Sequence, residues 1–168
     1  MSSTTGKAAA IVLKEAADAA GVKTAFSLSD PAMVSFFGEG LKEMIGTGVD
    51  ILFCNEDEAL GYTETNDINE AENTLKQIAN TVVITLGAKG AKIIHKDGTV
   101  NIAPCEVKAI DTNGAGDMFA GAFLYAITHN YSYEQAGNFA AHAAAKVVSQ
   151  YGPRLQAQQH EELKELLV

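Results

Sequence analysis

The residues of this sequence that could do chemistry are concentrated in one short stretch, residues 111–117, which reads DTNGAGD. Its two glycines allow the backbone to turn sharply and to approach a ligand closely. The apolar run that follows predicts a helix to about His129, and the first turn of a helix offers unpaired N–H groups and a positive dipole end. The stretch therefore predicts an anion site, with a capped turn that carries a charge as the alternative.

Asp117 places a carboxylate at this predicted anion site. A negative side chain beside a negative ligand is an odd choice for binding alone. It makes sense if Asp117 accepts a proton from a hydroxyl group that then attacks a phosphate.

Two other stretches carry weaker signals. Asn55 and Glu58 stand three residues apart directly after the apolar run 50–54, and such a pair could hold a hydrated magnesium ion. The same pair suits a capping box at a helix N-terminus, which is the simpler interpretation of this pattern by itself. Residues 85–90 (TLGAKG) could run alongside a nucleotide through their backbone amides, or form a plain turn.

The elements that must position these stretches alternate between helical and extended patterns. Helices are predicted over 7–20, 32–45, 69–79, the run that ends near 129, 132–148 and 155–167. Strands are predicted over 22–28, 50–54, 81–86, 91–95 and 99–103. This alternation predicts an α/β layered fold with a mostly parallel sheet. Because ligand sites in such sheets lie beyond the carboxyl ends of strands, the turns at Asn55, Gly87 and Gly114 could converge on one crevice.

Composition excludes several classes of function. The chain has 168 residues, 47% of them hydrophobic, and a formal net charge of −9. Without a basic patch, this charge argues against binding to nucleic acid or to an anionic membrane, although local amides and a metal ion could still hold ATP. Two cysteines are no disulfide framework, and no signal peptide or membrane span is evident. We therefore expect a cytoplasmic protein.

Residues 111–117 resemble the C-terminal signature of the ribokinase-like, or PfkB-type, carbohydrate and nucleoside kinases. The pairs Asn55-x-x-Glu58 and Thr85-x-Gly87-x-x-Gly90 support this resemblance, because they occur in the family's order and approximate spacing. The tail 147–155 and the turn 29–31 look closest to bacterial adenosine kinases. The resemblance implies a three-layer α/β/α ribokinase-like sandwich of which residues 1–168 are the C-terminal, nucleotide-binding and catalytic half, without the N-terminal half and the lid.

The resemblance also implies roles at the matching positions. Gly114, Ala115 and Gly116 would form the anion hole for the transferring phosphoryl group. Asp117 would be the general base on the acceptor hydroxyl. Asp111, with the turn near Gly152, would help to hold a monovalent cation such as potassium.

The remaining implied roles concern ATP and its magnesium ion. Asn55 and Glu58 would belong to the magnesium and phosphate network, mostly through water. The nucleotide would be lined by Thr85, Gly87, Lys89 and Gly90. Many relatives carry an asparagine beside the adenine where this chain has Ala141, and Asn138, one helical turn earlier, could substitute for it.

The function implied is ATP-dependent phosphotransfer to a hydroxyl of an adenosine-like nucleoside or a sugar. The alternative is a catalytically silent nucleotide-binding or interaction module that arises from a truncated kinase. Truncation would leave an exposed sheet edge and apolar surface, so we expect self-association through that edge.

Overall fold

The computed structural model describes residues 4–167, and helices alternate with strands along most of this range. The helices are α1 Thr4–Ala20, α2 Pro31–Ile45, α3 Glu56–Thr63, α4 Ile68–Leu75, α5 Ala115–Thr128, α6 Tyr133–Val148 and α7 Ala157–Lys164. The strands are β1 Ala25–Ser27, β2 Val49–Asn55, β3 Ala79–Thr85, β4 Ala91–His95 and β5 Gly98–Ile102. Short 3₁₀ turns occupy Gly87–Lys89 and Glu165–Leu167.

The strands form one sheet in chain order, β1 to β5. β1 and β2 are parallel, with Ala25 opposite Ile51. β4 and β5 are joined by only residues 96 and 97, and a connection of that length can join only antiparallel strands. The sheet is therefore mixed, and the expectation of a mostly parallel sheet fails in its second half because the hairpin leaves no room for a crossover helix.

Most predicted elements are present, and the largest boundary error is at α4. The sequence predicts a helix over 69–79, whereas α4 ends at Leu75 and β3 begins at Ala79. Between them the chain turns, with the N–H of Ile78 donating to the carbonyl oxygen of Leu75 at 3.1 Å. The carbonyl oxygen of Ile78 then accepts from the N–H of Val49 at 2.9 Å, so Ile78 is hydrogen bonded to the first residue of β2. Apolar residues that continue a helical pattern thus belong to the start of a buried strand.

The chain divides into two compact units. The first contains residues 4–84 and 94–98, and the second contains residues 85–93 and 99–167. In the first unit, α2 begins where the sequence predicts, with Pro31 in its first turn and the Asp30 side chain accepting from the N–H of Met33 at 2.9 Å. Its core is aliphatic, with Leu41, Leu52 and other residues fully buried.

In the second unit, α5 and α6 pack closely against each other. Small residues allow this approach, since Ala126 and Ala140 are fully buried on the two helices. An added Cβ at Gly137 would lie 2.5 Å from Cδ1 of Ile102, so α6 also lies directly on β5. These contacts fix α5, which begins within residues 111–117, and α6, whose last residue accepts a hydrogen bond from the N–H of Asp111.

Candidate functional site

Residues 111–117 form a tight turn that leads directly into α5. Gly114 is the N-cap of α5 and has a left-handed backbone with φ of 77°. An added Cβ at Gly114 would lie 2.6 Å from the Cβ of Pro153 and 2.7 Å from its carbonyl oxygen. Both the backbone angle and the close contact therefore require glycine at this position.

The N-terminus of α5 is left open by this glycine cap. Gly114 has no side chain with which to satisfy the first helical N–H groups. An added Cβ at Gly116 would meet no atom within 4 Å, so space lies in front of the first turn. The N–H of Ala115 donates to the carbonyl oxygen of Thr112 at 3.3 Å. The later amides of the first turn and the helix dipole together make this turn suitable for an anion.

The side chain of Asp111 connects the start of this turn to the backbone at Gly152, after the end of α6. Its two carboxylate oxygens accept from the N–H groups of Asn113 and Gly152, each at 3.0 Å. These two backbone hydrogen bonds lower the pKa of Asp111 below its ordinary value. The neighbouring N–H of Ile110 donates to the carbonyl oxygen of Val148 at 2.8 Å, which ties the same loop to the end of α6.

The turn at residues 87–90 is also built around a glycine. Gly90 has φ of 93°, and an added Cβ there would overlap the carbonyl oxygen of Ile102 and lie 3.0 Å from the nitrogen of Pro104. The N–H of Leu86 donates to the carbonyl oxygen of Gly90 at 2.8 Å and closes the turn. The turn therefore abuts the beginning of the loop that leads to Asp111.

Within the second unit, the two glycine turns line a single cavity of about 660 Å³. This volume lies in the range of small-molecule sites. The candidate site residues that line it are Thr85, Gly87, Gly90, Ala115, Gly116 and Ala141. Lys89 and Asn138 are not among its lining residues, and the side chain of Asn138 is exposed. The structure therefore brings together the turns at Gly87 and Gly114, both within the second unit, and it provides no support for Asn138 as a substitute.

Asp117, one residue after Gly116, lines a second groove of about 560 Å³ in the same unit. Asp117 is exposed, and the groove also contains the basic residues Arg154, His160 and Lys164. The first turn of α5 thus contributes to both spaces, with Gly116 at the first cavity and Asp117 at the second.

Asn55 and Glu58 lie in the first unit and form a complete capping box at α3. The N–H of Glu58 donates to Oδ1 of Asn55 at 2.8 Å, and the N–H of Asn55 donates to Oε2 of Glu58 at 3.0 Å. Nδ2 of Asn55 donates to Oε1 of Glu58 at 2.7 Å. Burial raises the pKa of Glu58, against the opposing effect of the Asn55 N–H. The simpler interpretation of this pair is therefore confirmed as its structural role.

No group of three or more His, Cys, Asp or Glu residues within 4–167 is arranged to hold a metal ion. Within the same range, no helix combines the length and the apolar character needed to span a membrane.

Sequence reasoning missed much of the wall of the first cavity. Pro104, Cys105, Glu106, Val107 and Ala109 line it from the loop after β5. This loop has no regular secondary structure and no distinctive motif. On α6 the lining positions 141, 144, 145 and 148 follow a helical spacing, but alanine and valine at such a spacing are equally typical of a helix core.

Comparisons with known proteins agree with the family resemblance. The family described as pfkB family carbohydrate kinase matches residues 1–160. A ribokinase from Haemophilus influenzae is 32% identical over 154 residues, which cover 88% of this chain and 48% of the ribokinase. An adenosine kinase from Schizosaccharomyces pombe is 34% identical over 126 residues, which cover 66% of this chain and 36% of that kinase.

The crystal structure of adenosine kinase from Sinorhizobium meliloti is similar to this structure with a TM-score of 0.87 and 30% sequence identity. The match covers 94% of this chain and 49% of that one, so this chain spans about half the length of such proteins. The prediction of a partial ribokinase-like α/β fold is confirmed. The chain belongs to the pfkB family of carbohydrate kinases.

Proposed function

We propose that this chain is the nucleotide-binding and catalytic portion of an ATP-dependent phosphotransferase, which transfers phosphate to a hydroxyl group of an adenosine-like nucleoside or a sugar. The observation that carries the proposal is the cavity that the glycine turn at 87–90 shares with the open N-terminus of α5. Family membership supports the same class of reaction.

In this proposal the phosphate chain of ATP lies at the N-terminus of α5. Phosphoryl transfer needs positioning and charge stabilisation more than covalent chemistry, and fixed backbone amides supply both. Gly114 has the backbone angle of the turn. The N–H of Ala115 donates to the carbonyl oxygen of Thr112 at 3.3 Å, so in this proposal the amide of Gly116 contacts the phosphate and Ala115 lines the site beside it. Thr85, Gly87 and Gly90 line the nucleotide from the other turn, and Lys89, which does not line the cavity, would contribute only from its rim.

Asp117 is the proposed general base. Its carboxylate follows the anion site by one residue, on the side of the second groove, from which an acceptor hydroxyl can approach. Its effect as a base comes mainly from proximity to the hydroxyl.

The proposal includes magnesium with ATP. Both carboxylate oxygens of Glu58 are engaged by Asn55, so this pair fits a magnesium ion only through water molecules. Magnesium would neutralise charge that develops on the phosphates. Asp111 is the proposed carboxylate for a potassium ion, since its lowered pKa keeps it charged while Asn113 and Gly152 fix its position.

The acceptor side is the least complete part of the proposal. Because this chain spans about half of its relatives, we expect it to bind nucleotide and to show weak or no turnover alone. The same fact favours the second candidate, a catalytically silent nucleotide-binding or interaction module. β1, an edge strand of only three residues, is the proposed edge for self-association. The proposed location of the protein is the cytoplasm.

Titration calorimetry with ATP and magnesium tests the shared part of both candidates. We expect binding by the folded chain, and no binding would overturn both. Phosphotransfer from labelled ATP to adenosine and to ribose then separates them. Any transfer should disappear in Asp117→Asn while ATP affinity is retained, and robust transfer that survives this substitution would overturn the role of Asp117.

A further inference from the structure

The only arginine of the chain, Arg154, lines the groove that also contains Asp117. Within the described part of the chain, its guanidinium group forms no ion pair and no hydrogen bond. By contrast, Lys164, which lines the same groove, is paired with Glu161 at 2.7 Å. Arg154 therefore brings to this groove a positive charge that is not paired with a described carboxylate.

The backbone on both sides of Arg154 is held in place. Pro153, the preceding residue, packs against Gly114, where an added Cβ would lie 2.7 Å from the Pro153 carbonyl oxygen. The carbonyl oxygen of Arg154 accepts from Nε2 of Gln150 at 3.1 Å, and the next side chain, Leu155, is buried. The main chain of Arg154 is thus fixed next to the N-terminal turn of α5, while its side chain is exposed and can meet a ligand.

The groove also has room for the body of an acceptor. Its floor on α5 extends from Asp117 to Tyr125, eight positions later, which at about 1.5 Å per residue is roughly 12 Å. Between them lies Gly121, where an added Cβ would meet no atom within 4 Å. Glycine is a poor helix former, and no described residue packs against this one. The space above Gly121 is therefore available to a ligand.

Phosphoryl transfer changes the charges in this groove. In the proposed reaction the acceptor oxygen forms a bond to the γ-phosphorus, and the bond from that phosphorus to the bridging oxygen of ADP breaks. Asp117 takes the proton of the hydroxyl and becomes neutral, while the acceptor becomes an anionic phosphate monoester. The groove thus needs a cation at the end of the reaction, and a guanidinium group has a planar set of donors that matches phosphate oxygens.

We infer that Arg154 binds the transferred phosphoryl group on the acceptor side, so that the groove holds the phosphorylated product more tightly than the acceptor. Arg154 does not line the nucleotide cavity, so this contact is separate from the anion site at Gly116. The inference rests on the proposed function, because it assumes that Asp117 accepts the hydroxyl proton in this groove.

Calorimetry with the full chain tests the inference, with ADP and magnesium in excess to occupy the first cavity. The probes are ribose and ribose 5-phosphate, with adenosine and AMP as a second pair. We expect each phosphorylated probe to bind at least about tenfold more tightly than its parent, because it gains charged hydrogen bonds to Arg154.

Two results would overturn the inference and leave the nucleotide part of the proposed function intact. One is equal affinity for each parent and its phosphorylated form. The other is no binding of either phosphorylated probe by a chain that binds ADP. Failure of the chain to bind ADP or ATP would instead overturn the proposed function.

Substitutions at Arg154 separate its contact from a general effect of charge. Arg154→Gln should reduce the preference for the phosphorylated probe by about tenfold and leave ATP affinity unchanged. Arg154→Lys keeps the charge but loses the planar set of donors, so it should restore only part of the preference. Lys96→Gln removes one positive charge from an exposed position of the first unit and should have no effect. A preference that survives Arg154→Gln, or falls equally in Lys96→Gln, would overturn the inference.

Gly121→Leu tests where the body of the acceptor lies. The added side chain fills the space above α5, so it should weaken ribose and ribose 5-phosphate by the same factor and leave the preference between them unchanged. Circular dichroism checks that this variant and those at Arg154 are folded. Wild-type affinity for both probes in a folded Gly121→Leu protein would overturn the placement of acceptor and product in this groove.

Discussion

The N-termini of α3 and α5 are built in opposite ways, although each helix carries an acidic residue in its first turn. At the N-terminus of α3, Asn55 and Glu58 each accept a hydrogen bond from the other's backbone N–H, so the helix end is capped by side chains. Glu58 is also only 5% exposed. α5 has a glycine cap that contributes no side chain, and its acidic residue, Asp117, is exposed.

This difference separates a structural helix end from one that is suited to a ligand. A capped end has few free donors to offer, whereas an end with a glycine cap retains its amides and the field of the helix dipole. The comparison predicts that substitutions at α3 change stability, while those at α5 divide between stability and binding according to which glycine is changed.

The largest effect should come from Gly114→Ala. The new Cβ would require a left-handed alanine and would overlap Pro153. We expect a loss of about 3 kcal/mol or more in the free energy of unfolding, and loss of ATP binding with it. Denaturant unfolding followed by circular dichroism measures the first quantity, and calorimetry measures the second. A variant as stable as the wild type would mean that the turn is not held against Pro153.

Asn55→Ala should have the next largest effect on stability. It removes the cap of α3 and also leaves the buried Glu58 carboxylate without the Nδ2 donor. Loss of a cap costs about 1 kcal/mol, and an unsatisfied buried group adds about 1 kcal/mol or more, so we expect about 2 kcal/mol. Asp57→Asn, an exposed change in the same helical turn, serves as the control and should stay within about 0.5 kcal/mol in the same denaturant experiment. Equal losses in the two variants would contradict the importance of the capping box.

The contrast between the two helix ends could be predicted from sequence only in part. The glycines at 114 and 116 and the pair Asn55 and Glu58 are visible as motifs, because turns and caps depend on a few local residues. The sequence cannot distinguish a capping box from a metal site, since both use the same residue types at the same spacing. The structure contains the complete capping box, with both oxygens of Glu58 engaged by Asn55, and a magnesium contact of this pair through water stays a prediction.

The alternating helices and strands could also be predicted from the sequence, because the spacing of hydrophobic residues is a local property. The end of α4 was not, because Ile78 leaves the helix to pair with Val49, a partner distant in sequence. The apolar wall that α6 gives the cavity was also hidden, because alanines that face a ligand and alanines that face a core have the same pattern.

Gly116→Ala should keep or slightly raise stability and should reduce binding. The added Cβ meets no atom within 4 Å, and alanine is a better helix former than glycine, so the free energy of unfolding should rise by up to about 1 kcal/mol. The methyl group would occupy space in front of the open amides, and we expect ATP affinity to fall about tenfold by calorimetry. Retained affinity in this variant would place the phosphate elsewhere in the cavity.

The smallest effects should appear in the pH dependence of stability, where Glu58 and Asp111 should act with opposite signs. The pKa of Glu58 is raised in the folded chain by burial. Relative to Glu58→Gln, the wild type should therefore be most stable below the ordinary glutamate pKa of about 4.3, and it should lose this advantage as the pH rises through the raised value.

For Asp111, backbone hydrogen bonds from Asn113 and Gly152 lower the folded pKa. Relative to Asp111→Asn, the wild type should keep its full advantage above the ordinary aspartate pKa of about 3.9, and it should lose it as the pH falls through the lowered value. Denaturant unfolding of the wild type and both variants from about pH 3 to about pH 7 measures the two differences. If both differences in the free energy of unfolding changed with pH in the same direction, the contrast between the buried Glu58 and the backbone-bonded Asp111 would be contradicted.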